Sequence, residues 1–344
     1  MTDKQWATLL NVINGKVDKT LPVGFIIDSP WLPGWAGMPV IDYFTGEDKW
    51  LEANIKAIRT FPQAMFLPGF WSEFGMCTEP SAFGSKCSWQ TNELPFAHPI
   101  ITIFEQVDAI NRPDASRDGM LPFILNRLKH AQSRIEREGH AIRFAVSRGP
   151  LNIASFLVGT TEFLMGIRTN PDEAGQLLDT ITDFIIDWLC LQMDTFATID
   201  GIFILDDIVG FLGKEDFVKF AKPRLKKIFT CRDVKVRFFH NDAQGLVCAP
   251  HLAEIGVNLF NFSSDHGLSQ MRKLAGDSVT LLGNIPPRDV LALGTAKQVA
   301  DAVEAMLAGL EDRSRIIASC GGGMPPDVST ENINAFIEAV LASA

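Results

Sequence analysis

Short apolar runs, each cut off by glycine, proline or acidic residues, dominate the chain. Eight of them are too short for helices: residues 21–27, 64–67, 142–146, 201–205, 236–239, 257–262, 279–282 and 315–318. Near-continuous apolar runs of this length are what strands buried on both faces look like. Between them the pattern changes to helical spacing. Asn170-Pro171-Asp172-Glu173 supplies a cap, a proline at the first helical position and acids in the first turn, and it opens an apolar-rich helix through Trp188. Thr295 and Gln298 match a capping box ahead of Val299, Val303, Met306, Leu307 and Leu310. Ser329 precedes Ile333, Phe336, Ile337, Val340 and Leu341, the pattern of a final amphipathic helix.

Strand–helix alternation repeated eight times predicts an α/β fold with a parallel sheet, and eight such units make a TIM (β/α)8 barrel. The first three connections are longer than a minimal unit requires. They are expected to carry extra helices or a lid over the barrel's C-terminal mouth. The stretch 71–99, rich in Trp, Gly, Pro and Cys, is the expected cover. No boundary divides the pattern, so residues 1–344 read as one decorated barrel domain. Charged residues make up 21% of the chain and low-complexity tracts are absent, so no disorder is expected beyond the first few residues.

A formal charge of −10 argues against nucleic acid or an anionic membrane surface as the main partner. No apolar run approaches the roughly 18–20 residues of a membrane span, and the first residues lack the apolar core of a signal peptide. The expected location is the cytoplasm, where the six scattered cysteines stay reduced. A homodimer is left open.

In a barrel of this kind, chemistry sits at the strand ends. Those ends offer Asp28, Glu73, Arg148, Asp206, Asp207, His240, Asp242, the turn 263–266, Asn284 and Cys320. Asp28, Ser263 and Asn284 are equally ordinary turn residues. His240, Asp242 and Cys320 fit that description less well. Imidazole and thiolate are favoured zinc ligands, and a carboxylate completes such a set. Glycines at 321, 322 and 323 let the backbone after Cys320 turn closely around whatever the sulfur holds. The alternative is a buried cysteine and a hydrogen-bonded histidine. Trp31, Trp35, Trp71 and Trp89 lie in the loops assigned to the mouth, either as cover or as the wall of a pocket for a planar or methylated ligand. The other cysteines read as structural: Cys190 on the long helix, Cys231 and Cys248 near helix ends. Cys77 and Cys87 flank one loop and are free to approach each other.

Three C-terminal motifs carry a resemblance. They are Leu281-Leu282-Gly283-Asn284-Ile285-Pro286-Pro287 with Leu291 and Gly294-Thr295, then Ser319-Cys320-Gly321-Gly322-Gly323-Met324-Pro325-Pro326, then Glu331-Asn332-Ile333. Together with Arg148-Gly149-Pro150-Leu151, Asp206-Asp207 and the strand ending in His240, they resemble the uroporphyrinogen decarboxylase superfamily. The likeness covers most of the chain and implies a TIM barrel with its site at the strand C-termini. One branch of the superfamily decarboxylates the acetate arms of a tetrapyrrole without a cofactor, using an arginine-rich N-terminal motif and a tyrosine. Here the corresponding strand end reads Asp28-Ser29-Pro30-Trp31 and the only tyrosine is Tyr43, so that activity is not expected.

The other branch comprises zinc-dependent methyltransferases that move a methyl group between a corrinoid protein and a thiol or similar acceptor. Its ligands are a His-x-Cys pair and a later Cys before a glycine. This chain keeps His240 and Cys320 and has Asp242 in the middle position. The resemblance therefore implies zinc on His240, Asp242 and Cys320, and cobalamin supplied by a corrinoid protein partner. Glu73, Asp206 or Asp207 would orient substrate or move protons, while Asp28, Trp71, Arg148 and Asn284 would bind it. A His/Asp/Cys set is harder than His/Cys/Cys and leaves the metal more Lewis-acidic. Either the acceptor is not coenzyme M, or Asp242 is not a ligand and Glu73 or water takes its place. Two other readings stand beside this one. The first is a metal-independent decarboxylase or lyase on another carboxylated substrate, with Asp206 or Asp207 and His240 as acid–base groups. The second is a non-catalytic partner that binds a corrinoid protein.

Overall fold

The structure is a computed structural model, and it describes residues 1–16 and 20–343. All eight apolar runs are strands: β1 (Val23–Ile26), β2 (Ala64–Leu67), β3 (Phe144–Arg148), β4 (Gly201–Leu205), β5 (Val236–Asn241), β6 (Leu259–Phe262), β7 (Thr280–Ile285) and β8 (Ile316–Cys320). They form one parallel sheet in the order β2-β1-β8-β7-β6-β5-β4-β3. The sheet curls into a TIM-like barrel. The backbone ladder is not closed all the way round, because no pairing joins β2 to β3.

Two glutamines cover the polar groups left at that seam. Gln192 accepts from the Val146 amide at 2.9 Å and donates to the Val146 carbonyl at 3.0 Å. On the facing edge, Gln5 donates to the Ala64 carbonyl at 3.1 Å. Buried backbone groups need such partners wherever the ladder stops.

Side-chain alternation along each strand divides the core in two. Ile26, Met65, Leu67, Phe144, Val146, Phe203, Val236, Phe238, Leu259, Leu282 and Ile317 form one cluster inside the barrel. Their sequence neighbours, such as Phe25, Ile204, Phe239, Phe260 and Ala318, belong to the larger cluster beneath the surrounding helices. That outer layer includes the 25-residue helix Pro171–Thr195, which extends further than the apolar pattern to Trp188 predicts. The capping box at Thr295 is present with both of its hydrogen bonds, and the last helix spans Thr330–Ala342. Helices at Leu32–Ala36, Val40–Thr45 and Glu47–Thr60 occupy the first long connection, and Thr78–Ala82 and a ribbon pairing Cys87–Ser88 with Phe96–Ala97 follow β2. No single helix among the described residues is long and apolar enough to cross a membrane.

The apolar pattern predicts no element in the first residues, and the structure has one there. Asp3–Ile13 is a helix with a capping box between Thr2 and Gln5. Met1, Trp6, Leu9, Val12 and Ile13 pack into the cluster inside the barrel. The Trp6 ring meets Phe144 edge-on at 5.5 Å, and the Arg143 guanidinium lies 5.5 Å from the Trp6 ring. This helix plugs the barrel at the end opposite the mouth. Truncating a buried aromatic costs about 3–5 kcal/mol, so Trp6→Ala should lower the free energy of urea unfolding by that amount. A loss under about 1 kcal/mol, the scale of an exposed substitution, would show that the helix rests on the barrel without plugging it.

Candidate metal centre

The inward positions of the strands are apolar for two steps and then turn polar. Two residues beyond Ile26, Val146, Phe238, Leu259 and Ile317 stand Asp28, Arg148, His240, Asn261 and Ser319. The same count on β4 runs from Phe203 through Leu205 to Asp207. A polar layer is thus laid over the apolar interior at the mouth, where this fold places chemistry.

His240 is the centre of that layer. Its side chain is only 6% exposed. Nδ1 lies 2.8 Å from Asn261 Oδ1. The other end of the Asn261 amide donates to the carbonyls of Leu282 at 2.8 Å and Cys320 at 3.2 Å. Carbonyls only accept, so Nδ2 must face them and Oδ1 must face His240. His240 therefore donates from Nδ1, and in the neutral ring Nε2 carries the lone pair. That nitrogen faces Asp207 Oδ1 at 3.6 Å and Asp242 Oδ2 at 3.8 Å. Asp207 Oδ1 also accepts from the Asp242 amide at 3.1 Å, which fixes the loop after β5.

A lone pair facing two carboxylates is repulsive unless a cation stands among them. A proton on Nε2 meets that need, and so does a metal ion. The three ligand atoms lie within 4.8 Å of one another. Ligands bound at zinc distances in a tetrahedral site are roughly 3.4 Å apart, close to the two separations found here. Burial pushes the Asp242 carboxyl above the usual range; His240 opposes this and Asp207 adds to it. Extra positive charge relieves that tension. Room for it is left on the glycine-rich side: a Cβ at Gly322, where φ is 109°, would lie 3.0 Å from Asp242 Oδ2. The residues present fit a divalent ion held by Asp207, His240 and Asp242, with Asn261 orienting the imidazole.

The structure does not bring Cys320 into this group. Cys320 has the parity of Ile316 and Ala318, which pack outward with the helices, while Ile317 points inward. Its thiol is fully buried, lies 3.6 Å from the Gly322 carbonyl, and is pushed up to about 12 by burial. Cys320 is thus not among the three ligand atoms that converge, although Asp242 is close enough to add to the rise of its thiol. Asp206 also turns outward. Its two oxygens accept from the amides of Leu151 at 2.9 Å and Asn152 at 3.0 Å, at the start of the helix Pro150–Val158. It anchors a helix end and does not reach the mouth as a catalytic group.

A second polar cluster lies across the barrel. Arg148 binds Glu73 Oε2 through Nη2 and Glu79 Oε2 through Nη1, each at 3.2 Å, and its backbone amide donates to Glu79 Oε1 at 3.0 Å. Ser29 donates to the remaining Glu73 oxygen at 2.5 Å. Glu73 and Arg148 are therefore fully engaged with each other's neighbours. The Arg148 guanidinium lies 5.9 Å from the Trp71 ring, which meets Phe203 edge-on. Asp28 stands between the two clusters. Burial, then Glu73, push its carboxyl well up; Arg148 opposes this and Asp242 adds to it. Asn284 is buried and donates to the carbonyls of Ser263 and His266, holding the loop after β6.

Reasoning from sequence missed Asn261 and Glu79. Asn261 is the one polar residue in the run Leu259-Phe260-Asn261-Phe262. A polar side chain buried in such a strand needs a partner, and that was the available signal. Removing a group that orients a ligand typically weakens metal binding about 10–100-fold. Asn261→Ala should lose zinc affinity by that factor in competition with a chelator, and Asp207→Asn should lose more. Cys320→Ser should bind as the unaltered protein does; a comparable loss there would return the thiol to the ligand set.

Comparison with known proteins places this architecture. A uroporphyrinogen decarboxylase of Hahella chejuensis is 28% identical over 277 residues, which is 76% of this chain and 75% of the relative. Another, of Serratia proteamaculans, is 25% identical over 307 residues, 85% of this chain and 82% of the relative. Among solved structures, a methyltransferase from Methanosarcina mazei superposes with a TM-score of 0.79 at 19% identity, covering 97% of both chains. A B12-independent methionine synthase from Shewanella sp. W3-18-1 gives 0.58 at 12% identity, covering 94% of this chain and 96% of the other. The model of the family described as Uroporphyrinogen decarboxylase (URO-D) matches residues 8–342, and this chain belongs to that family.

Proposed function

We propose that this protein is a metal-dependent methyltransferase that moves a methyl group between a corrinoid protein and a small nucleophile, with zinc held by Asp207, His240 and Asp242. The observation that carries the reading is the lone pair of His240 Nε2 set against two carboxylate oxygens, with Nδ1 engaged by Asn261. When bound, a divalent ion supplies Lewis acidity that favours the deprotonated form of a thiol or comparable nucleophile. The Methanosarcina fold neighbour, a methyltransferase, supports the group that is transferred.

The chain's own residues do the rest. Asn261 fixes the ring plane and tautomer of His240, so the site is organised before any ligand arrives. Asp207 and Asp242 are each partly exposed, at 35% and 46% of the side chain, so this half of the mouth is open to a partner. Trp71 supplies an apolar surface beside the buried Arg148. Asp28 lies between that surface and the carboxylates, placed to bind the acceptor and take its proton. One histidine with two carboxylates is a harder set than a thiolate-rich one, and it leaves the metal more Lewis-acidic toward the acceptor.

A second reading, a metal-independent decarboxylase, is favoured by the names of the curated relatives. The charge of the mouth argues against it. Arg148 is bound by Glu73 and Glu79, and Arg127 donates to the carbonyls of Phe44 and Glu73. Neither presents a free guanidinium to a polycarboxylate, and Asp28, Asp207 and Asp242 would repel one.

Elemental analysis of the purified protein and a methyl-transfer assay with methylcobalamin and a panel of thiols separate the readings. The expected result is about one zinc per chain, lost together with thiol methylation in His240→Ala, as for ligand sets of this type. Full zinc in His240→Ala, or metal-free protein that releases carbon dioxide from a porphyrinogen, would overturn the proposal.

A further inference from the structure

Cys190 and Cys231 stand outside the mouth, on the outer wall. Cys190 lies in the last turns of Pro171–Thr195, and Cys231 follows the helix Lys222–Phe229. Both residues are half-buried. Cys231 directly precedes Arg232, and its thiol stands against Cys190: burial, then Cys190, push it up to about 11, and Arg232 opposes this. Arg232 points its guanidinium at the pair: Nε donates to Cys190 Sγ at 3.3 Å, while Nη2 is held by both oxygens of Asp194 at 3.2 and 3.3 Å. Two more ion pairs, Arg224 with Asp179 and Lys227 with Asp183, join the same two helices. The sulfurs are thus brought together by the fold with no covalent bond between them.

This is the environment of a reactive thiol. The Arg232 guanidinium donates to Cys190 Sγ, and partial exposure gives an oxidant access. A second thiol alongside resolves the first oxidation product. Two of the other thiols contrast with this. Cys248 and Cys320 are completely buried, and burial pushes each up to about 12.

We propose that Cys190, Cys231 and Arg232 form a peroxide-responsive dithiol that closes to a disulfide on the outer wall of the barrel. The thiolate of Cys190 attacks a hydroperoxide; an S–O bond forms, the O–O bond breaks, and the departing oxygen takes a proton to leave as water or an alcohol. Cys231 then attacks the sulfenic sulfur; an S–S bond forms, the S–O bond breaks, and water leaves. The two sulfurs lose two electrons and the peroxide gains them. The inference is independent of the metal reading, because none of these residues belongs to the mouth.

The test uses the full chain with hydrogen peroxide at neutral pH, followed by alkylation and peptide mapping. Cys190 and Cys231 should disappear together, well ahead of Cys248 and Cys320. A cross-linked peptide about 2 Da lighter than the two thiol peptides should appear, and dithiothreitol should reverse it. Cys231→Ser should arrest at a sulfenic acid on Cys190, trapped by dimedone. Arg232→Ala, which removes the donor to Cys190 Sγ, should slow the oxidation about threefold or more. Oxidation of the pair no faster than of Cys248 and Cys320 in the unaltered protein would overturn the proposal, as would an unchanged rate in Arg232→Ala.

Discussion

Asn261 ties four neighbouring strands together at the level of the candidate site. From β6 its amide reaches His240 on β5, the Leu282 carbonyl on β7 and the Cys320 carbonyl on β8. Every hydrogen-bonding direction of that side chain is determined by a partner that can only accept or must donate. One asparagine therefore fixes the spacing of the strands, the tautomer of the histidine and the direction of its free lone pair. Leaving such a buried group half-satisfied costs on the order of 1–3 kcal/mol, which is also the scale on which the arrangement resists distortion. The positions of Asp207 and Asp242 have meaning for chemistry only because His240 is held in this way.

Around that fixed point the mouth divides into two electrostatic territories. On the β4–β5 side an imidazole nitrogen and two carboxylate oxygens converge. On the β2–β3 side two carboxylates and a guanidinium neutralise one another in a buried cluster. Breaking such a cluster by removing one member costs about 3–5 kcal/mol, so it acts as a rigid abutment and not as a binding group. Asp28, two residues beyond β1, senses both sides.

All eight strands were legible in the sequence, because strands covered on both faces announce themselves as apolar runs. The site was legible only in part, and the reason is parity. Counting by twos from Phe203 selects Asp207 and rejects Asp206, and counting from Ile317 selects Ser319 and rejects Cys320. Residue chemistry alone favoured the cysteine; the alternation of the strand gives it the parity of Ile316 and Ala318. Asp206 binds two helix amides, a task that any strand-end aspartate can take. The N-terminal helix was missed although Thr2 and Gln5 carry the same capping signature recognised at Thr295 and Gln298. It was missed because it precedes the first strand, where the alternating pattern gives no place for an element.

The seam between β2 and β3 has a consequence for motion. Elsewhere around the circumference, widening the barrel would break a backbone ladder. Here no ladder joins the two strands: Gln192 and Gln5 each cap one edge, and the bonds from Arg148 to Glu73 and Glu79 span the gap. Local opening follows the least cooperative junction, so the barrel has a built-in gusset. Its circumference can change at one place while the four strands that Asn261 joins, and the ligand atoms they carry, keep their mutual distances.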